Sequence, residues 1–227
     1  EPNGTLHVAF ALSSVAHGKI KSINVNDAKR AQGVHSVLIA EEIENLLIGP
    51  IRHDEPILAS KEVLFFGQAI AAVLAESHDL AKKAALLVSA EIEELKPIVT
   101  IQQAMKAKSF LDNPIVVSSG DSKSAIKSAS NQLTGSLEIG GQEHYYLEGQ
   151  VAISIPTEDN EMVIHSSTQN PTEVQHLVSH VLNVPQNAIE VVTRRMGGGF
   201  GGKETDASQL ACICAIFSEK TKRPVKA

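Results

Sequence analysis

Residues 195–204 read Arg-Met-Gly-Gly-Gly-Phe-Gly-Gly-Lys-Glu, and five of the chain's fifteen glycines fall within positions 197–202. The preceding residues, 189–193 (Ile-Glu-Val-Val-Thr), read as a strand. The apolar run that follows, through about Ser218, reads as a helix. A glycine-rich stretch at such a junction lets the backbone take positive φ and lets a ligand approach the main chain closely. At a helix N-terminus the unpaired N–H groups and the helix dipole favour an anion. A phosphate, pyrophosphate or oxo-anion ligand is therefore the physical expectation, against a tight turn with no ligand.

Two nucleotide-binding templates nearly fit. Gly197, Gly202 and Lys203 match G-x-x-x-x-G-K, but the next residue is Glu204. A P-loop needs a Ser or Thr hydroxyl there to ligate Mg²⁺, and a carboxylate would repel the phosphates. Gly197, Gly199 and Gly202 also match G-x-G-x-x-G, which a run of glycines satisfies trivially. Nucleotide hydrolysis is thus disfavoured.

Upstream, residues 161–167 read as a strand, and Ser166-Ser167-Thr168-Gln169-Asn170-Pro171 as its junction with a helix. Asn170 is placed to cap that helix, with Pro171 at its first position and Glu173 at N3. Val174, Leu177, Val178 and Val181 then form one apolar stripe. Gln169 sits where a side chain can be aimed at a site, although such a residue taken alone is more often solvated. His176 and His180 have a spacing that permits a metal pair. They share a polar face with Glu173 and Ser179, so a solvated face is the better reading. Gly140-Gly141-Gln142-Glu143-His144-Tyr145-Tyr146-Leu147-Glu148 clusters polar and aromatic side chains. Acid–base roles are open to Glu143, His144 and Glu148, but a structural polar network fits them better.

The remaining pattern predicts an α+β or α/β segment up to about residue 105. Strands are expected at 5–12, 35–40, 67–74 and 89–95, and a helix at 78–88 with Leu80, Ala84, Leu87 and Val88 inward. Residues 106–130 contain seven Ser and the turn signal Ser119-Gly120-Asp121, which read as a connection with at most a short helix at 122–129. Residues 132–139 alternate polar and apolar and predict a strand. Val151, Ile153 and Ile155 predict one face of the next. Residues 223–227 look like the start of another strand, so a piece of a longer polypeptide is expected.

Composition narrows the function classes. The 227 residues carry 20 Lys+Arg and 26 Asp+Glu, a net charge of −6. That balance, with no Trp and only two Tyr and six Phe, argues against a nucleic-acid surface. No apolar run approaches the ~20 residues of a membrane span, and no signal peptide is visible. Cys212 and Cys214 point about 200° apart on a helix and read as reduced, buried thiols of a cytoplasmic protein.

Three motifs in combination, residues 195–205, Ser167-Thr168-Gln169-Asn170 and residues 140–148, resemble the molybdenum-binding part of the xanthine dehydrogenase family of molybdenum hydroxylases. Ala16-His17-Gly18-Lys19-Ile20, Asp54-Glu55-Pro56-Ile57-Leu58-Ala59 and Phe66-Gly67-Gln68-Ala69-Ile70-Ala71 resemble the hammerhead domain that opens the same subunit. The resemblance runs in order along essentially the whole chain. It implies an α+β architecture: a hammerhead-type α/β domain over 1–105, a linker over 106–130, and the first part of the molybdopterin-binding α+β domain over 131–227.

The family hydroxylates heterocycles or aldehydes with oxygen from water, using molybdenum held by a pterin. By resemblance Gln169 hydrogen-bonds a molybdenum ligand, and Phe200 and Gly201 lie with their main chain against the metal's ligands. Glu204 matches the substrate-pocket glutamate of purine-oxidising members, which implies a catalytic and substrate-binding role and a purine substrate. FAD and 2Fe-2S clusters are implied on partner domains or subunits, since neither cluster cysteines nor a flavin site is recognisable here. The general-base glutamate, a substrate-binding arginine and most pterin contacts of the family lie further along than Ala227. The isolated chain is therefore expected to bind no cofactor and to have no turnover. A non-catalytic assembly or cofactor-insertion module of the same fold is the alternative. Loss of Gln169 or Glu204 would favour it, and both are intact.

Overall fold

The computed structural model describes all 227 residues. Strands and helices are mixed through the first part: β1 (Leu6–Leu12), β2 (Gly18–Asn24), α1 (Asn26–Arg30), β3 (Val34–Ile39), β4 (Leu47–Ile48), β5 (Glu55–Pro56), β6 (Glu62–Val63), β7 (Ala69–Ala75), α2 (His78–Ala85) and β8 (Ser89–Glu94). Two short helices follow, α3 (Ile101–Ala107) and α4 (Ser122–Ser128). The rest comprises β9 (Ala152–Pro156), β10 (Met162–Ser166), α5 (Pro171–Leu182), β11 (Ile189–Val192), α6 (Ala207–Thr221) and β12 (Val225–Lys226). Residues Glu1–Lys96 and His144–Ala227 form one compact unit, and Pro97–Glu143 a second.

A seven-stranded mixed sheet organises the larger unit, in the order β11-β10-β9-β12-β1-β7-β3. The short strand β12 joins its halves. Val225 pairs in parallel with Leu6 and antiparallel with Ser154. Arg223 reinforces the seam, its guanidinium donating to the Gly4 carbonyl at 2.8 and 3.0 Å.

Period-2 alternation assigns the two faces. Leu6 and Val8 face one core with α5 and α6, while Ala9 and Ala11 face the other with α2 and the side chains of β2 and β8. β7, Ala-Ile-Ala-Ala-Val-Leu-Ala, is buried along its whole length, as expected of a strand covered on both faces. Coverage of β9–β11 is one-sided. Ala152, Ser154, Met162, Ile164 and Ser166 point to the core. Val151, Ile153, Ile155, His165 and Val192 line a cavity of about 540 Å³ on the opposite face. Val151, Ile153 and Ile155 thus share one face as their spacing predicts, and the small or polar Ala152 and Ser154 take the core face, where α6 packs closely.

α5 follows its sequence pattern. The Asn170 carboxamide accepts from Glu173 N–H at 3.1 Å, and Val174, Leu177, Val178 and Val181 are buried. Ser179, expected on the polar face, is buried and donates to the His176 carbonyl instead. His176 is exposed, and His180 packs its ring 4.4 Å from that of His53. α2 ends at Ala85, with Ala81, Ala84 and Ala85 inward and Leu87 exposed. α6 is enclosed on all sides, which leaves Cys212 and Cys214 fully buried as free thiols. Burial pushes both thiols well above their ordinary pKa, so neither is a nucleophile.

In the smaller unit Thr100 caps α3 and Asp121 caps α4, and neither helix buries a residue. The strand expected at 132–139 is absent; Leu133, Leu137 and Ile139 are exposed. Alternation names the face a strand would bury but does not supply a partner edge, and an unpaired strand is not stable.

Candidate cofactor-binding site

β10 and β11 run parallel, with Val163 opposite Glu190, and are joined by α5. Parallel strands end on the same side of a sheet. The junction after β10 (residues 167–170) and the loop after β11 (residues 193–206) therefore leave the sheet side by side. Ligands of open α/β sheets bind at such carboxyl ends.

The loop makes a tight turn at its centre. Gly202 N–H donates to the Gly199 carbonyl at 2.8 Å, across Phe200 (φ 52°) and Gly201 (φ 100°). Both central residues are left-handed, which Gly201 accepts freely and Phe200 does not. The Phe200 ring is mostly exposed. The outcome is a row of main-chain N–H groups, those of Gly198, Gly199 and Phe200, with no acceptor in the chain.

Gln169 is pinned against this turn. Its side-chain oxygen accepts from Gly201 N–H at 2.9 Å and from Lys203 N–H at 3.3 Å, and its own N–H donates to the Lys203 carbonyl at 2.9 Å. Those donors fix the amide's orientation: Oε1 faces the loop, so the Nε2 donors face outward, with no acceptor in the chain. A Cβ on Gly199 would lie 2.4 Å from Oε1 of Gln169 and 3.0 Å from its Cγ. Glycine at 199 is what allows the close approach.

His144, Tyr146 and Glu148, the end of the residue 140–148 motif, also pack against the loop. A Cβ on Gly202 would lie 2.6 Å from Tyr146 Cε1 and 3.0 Å from the His144 ring, so both rings lie against the loop. Gln150 Nε2 donates to Tyr146 Oη at 3.1 Å. Glu148 accepts from Gly197 N–H at 2.9 Å, from the Ser167 hydroxyl at 2.6 Å and from the Lys203 ammonium at 2.8 Å. These three donors, Lys203 foremost, hold its carboxyl well below the usual range, at about 2.

A pH dependence follows. With its folded pKa lowered from 4.5 to about 2, Glu148 contributes stability in full above about pH 4.5 and loses it as the pH falls towards 2. The stability gap between the unmodified protein and Glu148→Gln, measured by chemical denaturation, should accordingly narrow across that window. A gap constant from pH 6 to pH 2.5 would contradict this.

The structure places the sequence candidates as follows. Gln169, Phe200 and Gly201 converge on one open surface. Gly201 N–H is engaged by Gln169, whereas Phe200 N–H remains free. Glu204 follows on the same loop, exposed, its N–H at 3.4 Å from the Gly201 carbonyl. Lys203 does not act as a P-loop lysine, since its ammonium is fully buried against Glu148. The donors without acceptors lie within the loop, not at the helix N-terminus; α6 begins only at Ala207. The Glu148–Lys203–Ser167 cluster was not assigned from sequence. Its members are 19 to 55 positions apart; each lies in one of the three motifs, and Glu148 reads as part of a polar network, but the sequence does not show which partners it takes.

Two family models match the chain. Residues 1–96 match the aldehyde oxidase and xanthine dehydrogenase a/b hammerhead domain, and residues 106–227 the molybdopterin cofactor-binding domain. The chain belongs to the molybdenum hydroxylase family. It is 38% identical over 229 residues to xanthine dehydrogenase of Drosophila pseudoobscura pseudoobscura, covering 99% of this chain and 17% of that protein. It is 39% identical over 227 residues to aldehyde oxidase 4 of Rattus norvegicus, again covering 99% and 17%. The aldehyde oxidoreductase of Desulfovibrio gigas superposes with a TM-score of 0.85 at 27% identity, covering all of this chain and 27% of that one. The hydroxylase chain thus spans about a sixth of the length of these curated relatives. Its sheet, helices and domain order are those of the family: a hammerhead domain, then a molybdopterin-binding domain. No helix is long and apolar enough to cross a membrane.

Proposed function

We propose that this chain supplies the molybdenum-facing loop of a purine hydroxylase. The reaction converts hypoxanthine or xanthine to urate in a cytoplasmic enzyme that also carries FAD and 2Fe-2S domains or subunits. The observation that carries the reading is the donor set. Gln169 Nε2 and the N–H groups of Gly198, Gly199 and Phe200 all lack acceptors in the chain. A molybdenum–pterin group presents electronegative ligands that such donors suit, and the lack of a Cβ at Gly199 lets Gln169 pack against the loop that carries them. The bound group would supply the redox chemistry, with one C–H becoming C–OH, oxygen from water, and two electrons and two protons released.

The chain's own residues bind and orient. Gln169 holds a donor towards the metal's ligands, and the main chain of Phe200 and Gly201 lines the same side. The Glu204 side chain is exposed and has no hydrogen-bond partner in the chain. Its carboxyl group is available to hydrogen-bond a purine ring and to stabilise charge that develops there during attack. The water-activating glutamate that the family resemblance implies has no match among residues 1–227, and we assign turnover to the longer protein. Near-stoichiometric molybdenum in the isolated chain would overturn that division.

The test is turnover of xanthine by the full-length protein in ¹⁸O-labelled water. Label in urate is the predicted result. Absence of purine turnover together with aldehyde oxidation would replace the purine reading with the aldehyde one.

A further inference from the structure

Lys203 is fully buried and is among the largest side chains that are. A buried ammonium costs free energy unless it is paired, and an apolar side chain would fill the same space without that cost. Its contacts explain why it is there. Nζ donates to Glu148 at 2.8 Å and to the Ser167 hydroxyl at 2.9 Å, and lies 4.8 Å from the centre of the Tyr146 ring. The same Glu148 oxygen accepts Gly197 N–H, where the glycine run begins. The main chain of Lys203, where the run ends, is bonded at both its N–H and its carbonyl to Gln169, and the carbonyl also accepts from the Thr168 hydroxyl at 3.1 Å. One side-chain pair therefore ties the beginning of the loop, its end and the Gln169 junction to one another.

We propose that Glu148 and Lys203 are positioning residues: together they clamp the loop at Gly197 and Lys203 and thereby aim the Gln169 amide and the free N–H row at the cofactor. The inference rests on the cofactor reading given above. The clamp itself is a property of the loop and can be measured without the cofactor.

The two partners are not equivalent. The Lys203 side chain is 0% exposed and that of Glu148 is 38% exposed. Removing Glu148 alone strands a buried charge, whereas removing Lys203 alone leaves a carboxylate that still reaches water and keeps Gly197 and Ser167. The informative variant is therefore the double Glu148→Leu/Lys203→Met, which removes both charges at similar volume and spares the fold the unpaired ammonium.

In the full-length protein, amide exchange of the peptide covering residues 197–203 should accelerate about tenfold in this double variant, while that of α6 stays unchanged. Per bound molybdenum, kcat should fall about 100-fold with little change in KM, because a misaimed group costs the reaction more than it costs substrate binding. The electron paramagnetic resonance spectrum of the partly reduced metal should shift too. Unchanged loop exchange, or a normal spectrum and kcat per molybdenum, would overturn the proposal. If the double variant does not fold, Ser167→Ala leaves both charges in place and carries the same readouts. Smaller shifts in the same direction support the clamp, and none overturns it. Unmodified protein that lacks molybdenum but shows clamp-dependent loop exchange would sink the cofactor reading and leave the clamp standing.

Discussion

Gly199→Ala in the full-length protein is expected to lower kcat about 100-fold, with little change in KM. Gly199 has an ordinary backbone conformation, so alanine is not excluded by φ. The obstacle is Gln169. A Cβ would sit 2.4 Å from its Oε1, 2.8 Å from its Cδ and 3.0 Å from its Cγ. A free surface glutamine would rotate away cheaply. This one gives up its bonds to Gly201 and Lys203 N–H when it does, and its outward donor is lost with them. Gly199→Ala should therefore mimic Gln169→Ala, and the double variant should be no worse than either single one, as for residues that act as a unit. Gly135→Ala, with nothing within 4 Å of the new Cβ, is the control. Additive losses, or a Gly199→Ala enzyme with normal kcat, would show that the loop does not act through Gln169.

Glu204→Val should cut purine turnover far more than aldehyde turnover, by about ten- to a hundredfold in relative kcat/KM. A buried ring nitrogen or oxo group of the purine left without its partner costs ~1–3 kcal/mol, and a simple aldehyde carries no such ring group to strand. The comparison matters because relatives called xanthine dehydrogenase and aldehyde oxidase are equally similar to this chain, at 38% and 39% identity. Whole-chain similarity thus cannot choose the substrate, and the argument falls on this residue. Steady-state kinetics on xanthine and on an aromatic aldehyde decide it. Equal losses on both would mean that Glu204 does not read the purine.

Periodicity and capping carried much of the fold into view before any coordinates. β1, β3, β7, α2, α5 and α6 lie close to where their apolar spacing puts them, and the Asn170 cap forms as its residue type implies. The failures have physical reasons. β2 buries only Gly18 fully and slips register between Ile20 and Ser22, so its alternation is broken in the sequence. Residues 132–139 alternate well but have no partner strand. The mixed sheet itself was not legible, since β12 is two residues long and its role as seam depends on β1, more than 200 positions away.

The site was legible in part and for one reason. Gln169 and the glycine loop each belong to one contiguous motif, whereas their support joins side chains from three separate motifs. Lys203 in sequence looks like a phosphate-binding lysine, and in the fold it points inward to Glu148. A sequence shows which charges exist but not which face of a turn each one takes. Positive φ at Phe200 is likewise invisible in a residue type that rarely adopts it.

The most direct test of the account is the molybdenum content of the full-length protein, measured beside that of its Gln169→Ala variant on material of verified mass and fold. The account predicts near-stoichiometric molybdenum in the unmodified protein and an altered metal spectrum in the variant. Folded, full-length protein that carries no molybdenum, under conditions that load a known family member, would contradict it.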